Sequence, residues 1–382
     1  MFFAPHHAEL AERLRGAATA IEAIEDPSAY SSEADRDRAA AAALAEARLF
    51  DVVVPTESDI EAQAHRIDTR ALCLAREMLG YASPRADSIL AVQGLGTHPI
   101  VLAGSHEQRA HLLAFSRGAG IAAFALTEPE AGSDVAAIAT RAAPTASGYR
   151  LDGDKLFISN LGIADHAAVF ATTEPELGTK GITAFWVPLD TPGVRVIPMR
   201  ASAPHPIGAL ELRGVEVPVS SRIGDVGQGM KLALQTLDAF RVSVGAAAVG
   251  MARRAFDEAL GFVTRRSQFG KLLSEQPLVQ AHLADMIVDL DSARMLVLRA
   301  AYEKDTKGGR VTTEVSIAKL GATEAAQRVI DRAVQLFGGR GVMAGAIVEH
   351  LYRAIRPLRI YEGTSEIQRT IIGRALAQGA KS

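Results

Sequence analysis

The sequence has one cysteine, no excess of basic residues and no long uninterrupted apolar run. The single cysteine, Cys73, excludes an internal disulfide and a thiolate zinc cluster, and it suits a reducing compartment. A net charge of −3 without a basic block argues against a protein that binds a nucleic-acid backbone. No apolar run approaches the roughly 20 residues of a membrane span, and His6, His7 and Glu9 break the layout of a signal peptide. We therefore expect a cytoplasmic protein with no membrane span and no nucleic-acid partner.

Two common kinds of site are also missing. The histidines form no HExxH motif, so we expect no histidine-based metal site. Gly339-x-Gly341-x-x-Ala344 resembles a dinucleotide fingerprint, but a helical stripe precedes it where that motif needs a strand. A Rossmann site is therefore excluded, although the glycines could still allow a ligand to approach the backbone closely.

Hydrophobic residues make up 48% of the 382 positions, enough to build a large core in two or three subdomains. Up to about residue 118, the composition and the apolar spacing predict helices, with Pro84 and Pro99 as helix boundaries. The clearest stripe in this part consists of Ala71, Leu72, Ala75, Met78 and Leu79.

The middle third has the pattern of a β structure. Short apolar runs alternate with Gly, Pro and Asp, which predicts a mostly antiparallel sheet. Asp152-Gly153, between apolar flanks, predicts the turn of a β-hairpin. The runs are Ala167–Thr172, Gly181–Val187, Val194–Pro198 and Ala209–Val217.

Helical spacing returns after Gly227. One stripe extends from Val329 to Phe337 and is stopped by Gly338-Gly339, as at a helix C-terminus. A second stripe consists of Met286, Leu290, Ala293, Val297 and Ala301. The predicted order is therefore helical, β and helical.

Three segments outside these stripes could hold a ligand or could be ordinary structure. The loop Thr127–Asp134 exposes hydroxyls and backbone N–H groups that suit an anion, or it is a common Pro/Gly turn. The loop Arg265–Gly270 could pair with phosphate or remain a solvated charged run. Arg241 stands at the start of an apolar run, where Asp238 could supply an i, i+3 salt bridge.

The segment Tyr361–Gln368 opens the last predicted helix. Ser365 and Gln368 fit a capping box, which places Glu362 just outside the helix N-terminus. A carboxylate there is either a solvated loop charge or a base in a cleft with a shifted pKa.

Taken together, six segments in one order resemble the acyl-CoA dehydrogenase family of flavoproteins, from about Gly94 to Arg374. The matching segments are Phe124–Asp134, Lys155–Asn160, Gly224–Gly229, Arg266–Lys271, Gln335–Gly339 and Ile360–Arg369. The resemblance implies an α+β multidomain fold with an N-terminal all-α domain at 1–120, a middle antiparallel β-sheet domain at 121–225 and a C-terminal four-helix bundle at 226–382.

The resemblance also implies FAD as the cofactor, with part of the site supplied by a neighbouring subunit of a homotetramer. Arg266, Gln268 and the loop Gln335 to Gly339 would reach the neighbour's FAD. The positions that match the family's FAD contacts are Phe124, Leu126, Thr127, Ser133, Phe157, Ser159, Arg266, Gln268, Phe269, Gln335, Gly338, Gly339, Thr364 and Glu366.

Glu362 matches the catalytic base of the family, which takes the α-proton of an acyl-CoA while hydride leaves the β-carbon for flavin N5. A subset of the family carries its base near the position of Arg241, but no glutamate lies there in this sequence. Electrons would pass to electron-transfer flavoprotein. The positions that match the substrate contacts are Ser133, Asp238, Arg241, Tyr361 and Gly363.

The sequence departs from the family pattern in three places, and two other functions stay open. Thr56–Asp59 replaces a common Gly-Gly, Ala203–Gly208 replaces a Gly-x-Arg-x-Ser stretch, and Pro277 stands where Gln is common. The first two changes lie near surfaces that shape the acyl and CoA site, so the substrate need not be a simple straight chain. The alternatives are a flavin oxidase or monooxygenase of the same fold and a non-catalytic acyl-CoA-binding protein.

Overall fold

The computed structural model describes residues 2–61, 67–307 and 311–379, which are helical at both ends with a sheet between them. This succession confirms the predicted α+β fold class, while the exact domain limits remain predictions. The N-terminal helices are α1 (His6–Ala23), α2 (Glu33–Glu46), α3 (Glu57–Glu61), α4 (Thr69–Ala82), α5 (Pro84–Ala103) and α6 (His106–Ser116).

Pro84 begins α5, as predicted, and the Ser83 hydroxyl caps this helix by accepting the N–H of Ala86 at 3.1 Å. The prediction for Pro99 is wrong, because Pro99 lies inside α5. A proline there cannot donate to the carbonyl of Leu95. The helix nevertheless continues, because α5 is buried along most of its length and packing outweighs the local penalty.

The middle third forms an eight-stranded sheet in the order β6-β7-β3-β2-β4-β5-β8, with β1 paired to β4. Most pairs are antiparallel, as predicted, but β4 runs parallel to both β1 and β2. The strands are β1 (Ala122–Ala125), β2 (Arg141–Pro144), β3 (Gly148–Ser159), β4 (His166–Thr172), β5 (Ile182–Pro188), β6 (Val194–Met199), β7 (Ile207–Pro218) and β8 (Arg222–Ile223).

The hairpin predicted at Asp152-Gly153 is wrong, because both residues lie inside the continuous strand β3. The register with β7 shifts between Leu151 and Gly153, so the glycine belongs to a β-bulge. Its φ is 155°, and a Cβ there would lie 2.5 Å from Thr140 Oγ1. The glycine therefore permits a close approach of Thr140, the residue before β2, to β3 and does not mark a chain reversal.

The C-terminal part contains α7 (Gly229–Val263), a short hairpin of β9 (Ser267–Gln268) and β10 (Lys271–Leu272), then α8 (Pro277–Thr306), α9 (Thr312–Phe337), α10 (Ile347–Ile355) and α11 (Ser365–Gly379). The helices α7, α8 and α9 pack on one another, and α10 and α11 pack on α9. The predicted stripes form one apolar core, and Gly338, with a φ of 59°, ends α9. By length and composition α7 could cross a membrane, a feature that the sequence analysis overlooked, but 67% of its most apolar window is buried in the protein, as in a core helix.

Candidate active site

The turn that carries Glu362 joins the bundle to α11 in an uncommon backbone conformation. Glu362 and Gly363 have φ values of 52° and 91°, and a residue with a β-carbon is strained there unless its surroundings hold it. Arg241 Nε donates to the carbonyl oxygen of Glu362 at 3.2 Å. Lys319 Nζ and Gln368 Nε2 donate to the carbonyl oxygen of Gly363 at 2.8 and 3.0 Å. Side chains from α7, α9 and α11 therefore fix the turn.

Glu362 is half-buried, and one oxygen of its carboxylate, Oε2, is fully buried. Its Oε2 atom has no hydrogen-bond partner among the described residues. Burial raises the pKa of Glu362 above its ordinary value, and the charges of Arg76, Arg241 and Lys319 oppose this rise while Asp87 adds to it. A carboxylate in this state can accept a proton from a bound molecule.

A buried ion pair, which the sequence analysis missed, lies behind this turn. Arg76 on α4 donates to both carboxylate oxygens of Asp87 on α5, at 2.8 and 2.9 Å, and to Ser243 Oγ on α7 at 3.0 Å. Arg76 and Asp87 are each 1% exposed. Burial raises the pKa of the neighbouring Tyr361, so its phenol is neutral. An arginine one position after Ala75 in the apolar stripe of α4 is the signal that could have revealed the pair.

A second buried pair holds the loop after β1. Lys155 Nζ on β3 lies 2.7 Å from Glu128 Oε1 and also donates to the carbonyl oxygens of Phe170 and Leu126, at 2.6 and 3.3 Å. Glu128 accepts the backbone N–H of Thr140 at 3.0 Å. These contacts hold the loop against β3. Both residues stand in the segments quoted for the resemblance, but the sequence analysis assigned them no role.

The positions proposed for the flavin ring surround this fixed loop. The backbone N–H of Leu156 donates to the carbonyl oxygen of Thr127 at 3.0 Å, which joins β3 to the loop. The next residue, Phe157, has a φ of 58° and is 59% exposed. Thr127 and Ser159 are half-buried and Ser133 is exposed. An aromatic ring held outward beside hydroxyl groups suits a flat, polar-edged ligand.

Two other proposed cofactor residues lie deeper. Leu126 is buried, and the half-buried Phe124 packs its ring on Phe170 with 4.9 Å between centroids. Their side chains therefore contribute to the core beneath the loop.

The remaining FAD positions form a separate group at one end of the bundle. Arg266, Gln268 and Phe269 lie on the exposed β9–β10 hairpin, with Phe269 97% exposed. Gln335, Gly338 and Gly339 lie at the exposed C-terminal end of α9. Phe262 stacks on Phe337 with 4.4 Å between ring centroids, which brings the two segments together. Among the described residues, no hydrogen bond or ring contact joins this group to Glu362 or Thr127.

The start of α11 differs from the predicted capping box. Thr364 caps the helix, since its Oγ1 accepts the N–H of Ile367 at 3.3 Å. Ser365 lies one residue inside the helix and donates to Glu324 Oε1 at 2.6 Å. The Gln368 side chain turns to the carbonyls of the base turn instead of the helix N-terminus. The capping-box prediction is therefore wrong, because contacts with α9 and the turn take both side chains.

Two other proposed contact residues, Glu366 and Asp238, are accessible to solvent. Glu366 is exposed in the first turn of α11. Asp238 is 41% exposed and interacts with Lys304 Nζ at 3.4 Å and Arg241 Nη1 at 3.8 Å. The i, i+3 pair considered from the sequence is thus present, together with the contact of Arg241 to the base turn.

His6 and His7, for which the sequence analysis expected no metal site, lie within hydrogen-bond distance of Asp68. The Nε2 atoms of His6 and His7 lie 2.8 and 3.1 Å from Asp68 Oδ2. His7 Nδ1 accepts the backbone N–H of Ala4 at 2.8 Å, so its Nε2 carries a proton and donates to Asp68. This arrangement favours hydrogen bonds that join α1 to the start of α4 over a metal site.

Comparisons with known proteins identify the family of the chain. Residues 123–215 match the family described as acyl-CoA dehydrogenase, middle domain, and residues 227–377 match acyl-CoA dehydrogenase, C-terminal domain. The chain is 37% identical over 324 residues to the mitochondrial short-chain specific acyl-CoA dehydrogenase of Homo sapiens, covering 83% of this chain and 78% of that protein. Butyryl-CoA dehydrogenase from Megasphaera elsdenii has a TM-score of 0.89 at 30% identity, covering 98% of this chain and 99% of the other. PigA with FAD and proline has a TM-score of 0.86 at 27% identity, covering 98% of both chains.

Proposed function

Because the chain belongs to the acyl-CoA dehydrogenase family of oxidoreductases, we propose that it desaturates an acyl-CoA thioester, with Glu362 as the base and FAD as the cofactor. The observation that carries this proposal is the buried Oε2 atom of the Glu362 carboxylate, which lacks a hydrogen-bond partner among the described residues. Three side chains hold its turn through the backbone carbonyls of Glu362 and Gly363. These hydrogen bonds position the carboxylate without occupying its oxygen atoms.

Glu362 takes the α-proton of the thioester. That proton is a weak acid, so a carboxylate removes it only if the negative charge that develops on the thioester carbonyl is stabilised. The backbone N–H of Glu362 makes no hydrogen bond within the described part of the chain, which supports its use as a donor to that carbonyl. Burial raises the pKa of Glu362, which brings the base closer to working pH.

The loop after β1 and the part of β3 around Phe157, where the register with β7 shifts between Lys155 and Ile158, fit a flavin ring. Thr127, Ser133 and the loop backbone offer polar groups for the ring edge, and Phe157 and Ser159 cover the other side. The exposed ring of Phe157 on a strained residue supports this fit, because the described chain leaves most of its surface uncovered. Bound FAD supplies the acceptor for the hydride that leaves the β-carbon. Thr364 and Glu366 contact the cofactor beyond the base turn.

A neighbouring subunit completes the cofactor site. Arg266, Gln268 and Phe269 are exposed near Gln335 and Gly339, and among the described residues no hydrogen bond joins them to Glu362. Together with the family membership, this supports a homotetramer in which each hairpin reaches the FAD of a neighbour. Analytical ultracentrifugation of the purified protein tests the assembly, and a monomer that binds FAD fully would contradict it.

The thioester binds with its acyl end toward the base turn and its CoA toward the solvent. Ser133, Asp238 and Arg241 hold the thioester and the pantetheine arm of CoA, while Tyr361 and Gly363 contact the substrate beside the base. The relatives named for short-chain acyl-CoA and butyryl-CoA support a short acyl chain. Electron-transfer flavoprotein reoxidises the enzyme, and the cytoplasm is the proposed location.

Anaerobic titration with a panel of acyl-CoAs tests the proposed function. The panel contains straight, branched, cyclic and aromatic-substituted chains, and the flavin absorbance reports reduction. We expect short chains to bleach the flavin, followed by reoxidation with electron-transfer flavoprotein. A yellow protein that no thioester bleaches, or one reoxidised faster by O₂, would favour the oxidase or monooxygenase. A colourless protein that cannot be loaded with FAD would favour a binding protein.

A further inference from the structure

Lys319 on α9 is a buried lysine without an ion pair among the described residues. It is 0% exposed, and its Nζ donates to the carbonyl oxygen of Gly363 at 2.8 Å. Lys155 is buried to a similar extent, but its Nζ lies 2.7 Å from the carboxylate of Glu128. Burying an ammonium group without a counter-ion is costly, so a position that keeps one calls for an explanation.

The charged groups that face Lys319 leave one suitable counter-charge. They are Glu362, Arg241, Glu324 and Glu366. Glu324 is already engaged by Arg359 at 2.8 Å and by the hydroxyl of Ser365 at 2.6 Å. Glu366 is 80% exposed, so water screens its charge. The carboxylate of Glu362, with its buried Oε2 atom, is therefore the group on which the charge of Lys319 acts most strongly.

We propose that Lys319 is a positioning residue for the reaction, which holds the Gly363 carbonyl and favours the charged form of the Glu362 carboxylate. The proposal rests on the proposed function, because it assigns Glu362 the role of base. Lys319 holds the carbonyl of the residue directly after the base and so, together with Arg241 and Gln368, helps to position the carboxylate. Its positive charge offsets the cost of burying the anion that must accept the proton.

The electrostatic surroundings support this assignment. Glu362 is faced by Arg76 on α4, Asp87 on α5, Arg241 on α7 and Lys319 on α9. Burial lowers the pKa of Lys319 to about 8, so the lysine is charged at neutral pH and loses this charge in alkaline solution. Two of the three cations that face Glu362 also interact with another carboxylate: Arg76 pairs with Asp87, and Arg241 lies near Asp238. Lys319 is the third.

The test compares Lys319→Met with Lys319→Arg in the FAD-loaded protein. The rate of flavin reduction at saturating acyl-CoA is followed against pH under anaerobic conditions. We expect Lys319→Met to raise the midpoint of this profile by about one pKa unit or more, which slows reduction about tenfold below the midpoint. KM should change by less than about threefold, because the lysine does not contact substrate. Lys319→Arg keeps the charge and should return the midpoint toward that of the wild type.

Thr323→Val is the matched control on the same helix. Thr323 is buried one turn further along α9 and donates to the carbonyl oxygen of Lys319 at 2.9 Å. Its replacement perturbs α9 without removing a charge, so we expect the midpoint to stay in place. A folded, FAD-loaded Lys319→Met protein with an unchanged midpoint would overturn the proposal. So would an equal loss of rate at every pH that Lys319→Arg does not restore.

A measurement without turnover separates this proposal from the proposed function. Infrared difference spectra record the titration of the Glu362 carboxyl directly, with Glu362→Gln as the blank. We expect Lys319→Met to raise the pKa of Glu362 in these spectra, and an unchanged pKa would overturn the proposal. If no acyl-CoA reduces the wild-type flavin, the proposed function fails, while the infrared titration still decides whether Lys319 acts on Glu362.

Discussion

The Nε atom of Arg241 lies 3.2 Å from the carbonyl oxygen of Glu362, so a cation on α7 holds the backbone of the residue whose carboxylate it faces. This contact makes Arg241 part of the base turn as well as a candidate substrate contact. Arg241 and Glu362 are 121 residues apart in the sequence, so this contact forms only when α7 and the turn before α11 come together in the fold.

Arg241→Gln should slow flavin reduction at neutral pH. The substitution removes a positive charge that lowers the pKa of Glu362, and it weakens one support of the turn. A rise of one pKa unit costs about tenfold in rate below the midpoint. Arg328→Gln is the control, because Arg328 pairs with Asp289 on the exposed side of the bundle. Stopped-flow reduction that is equally slow in both variants would contradict the prediction.

Glu362→Gln should bind FAD and thioester normally but lose flavin reduction by several orders of magnitude, on the order of 10³-fold or more. Undiminished reduction would exclude Glu362 as the base.

The same substitution should also stabilise the protein at neutral pH. The folded pKa of Glu362 is raised, so the folded state binds more protons than the unfolded chain above the ordinary value of about 4.5. The wild type therefore loses stability as pH rises through the interval up to the folded pKa, and Glu362→Gln does not. Urea denaturation at acidic and neutral pH should show the variant gaining on the wild type as pH rises. An equal change in both proteins would contradict the raised pKa.

Phe157→Ala should weaken FAD binding with little loss of stability. The Phe157 ring is 59% exposed in the described chain, so its truncation removes few core contacts, whereas the proposed flavin site loses one wall. Phe170→Ala is the control on β4, where the buried ring should cost about 3–5 kcal/mol of unfolding free energy. FAD fluorescence titration and thermal unfolding separate the two effects. A Phe157→Ala protein that retains FAD as the wild type does would argue against this flavin position.

Asp87→Asn should destabilise the protein by about 3–5 kcal/mol, because it leaves the buried guanidinium of Arg76 without its counter-ion. The double variant Arg76→Met with Asp87→Leu should recover most of that loss, since apolar groups can replace a buried ion pair. Chemical denaturation of the three proteins measures the difference. A double variant less stable than Asp87→Asn would show that the pair is not the main contribution.

The start of α11 shows why the sequence predicted a helix start there but assigned the wrong side chains to its cap. Ser365 and Gln368 have the right spacing for a capping box, and local spacing is all that a sequence pattern records. In the fold, Glu324 on α9 takes the Ser365 hydroxyl and the base turn takes the Gln368 amide. Thr364 is left to cap the helix.

The sequence by itself determined the order of helices and strands, because apolar periodicity depends on residues near one another in the chain. The resemblance also singled out Glu362 and the segments around Thr127 and Phe157. Only the tertiary structure decided that Arg76 pairs with Asp87 and that Lys319 reaches the turn beyond Glu362. Arg76 and Asp87 lie on consecutive helices 11 residues apart, and Lys319 lies 44 residues before Gly363, so neither contact follows from local apolar spacing. A buried charge is tolerated only where packing brings a polar partner to it. The local pattern therefore indicates the base, while the fold supplies the charges and hydrogen bonds that surround it.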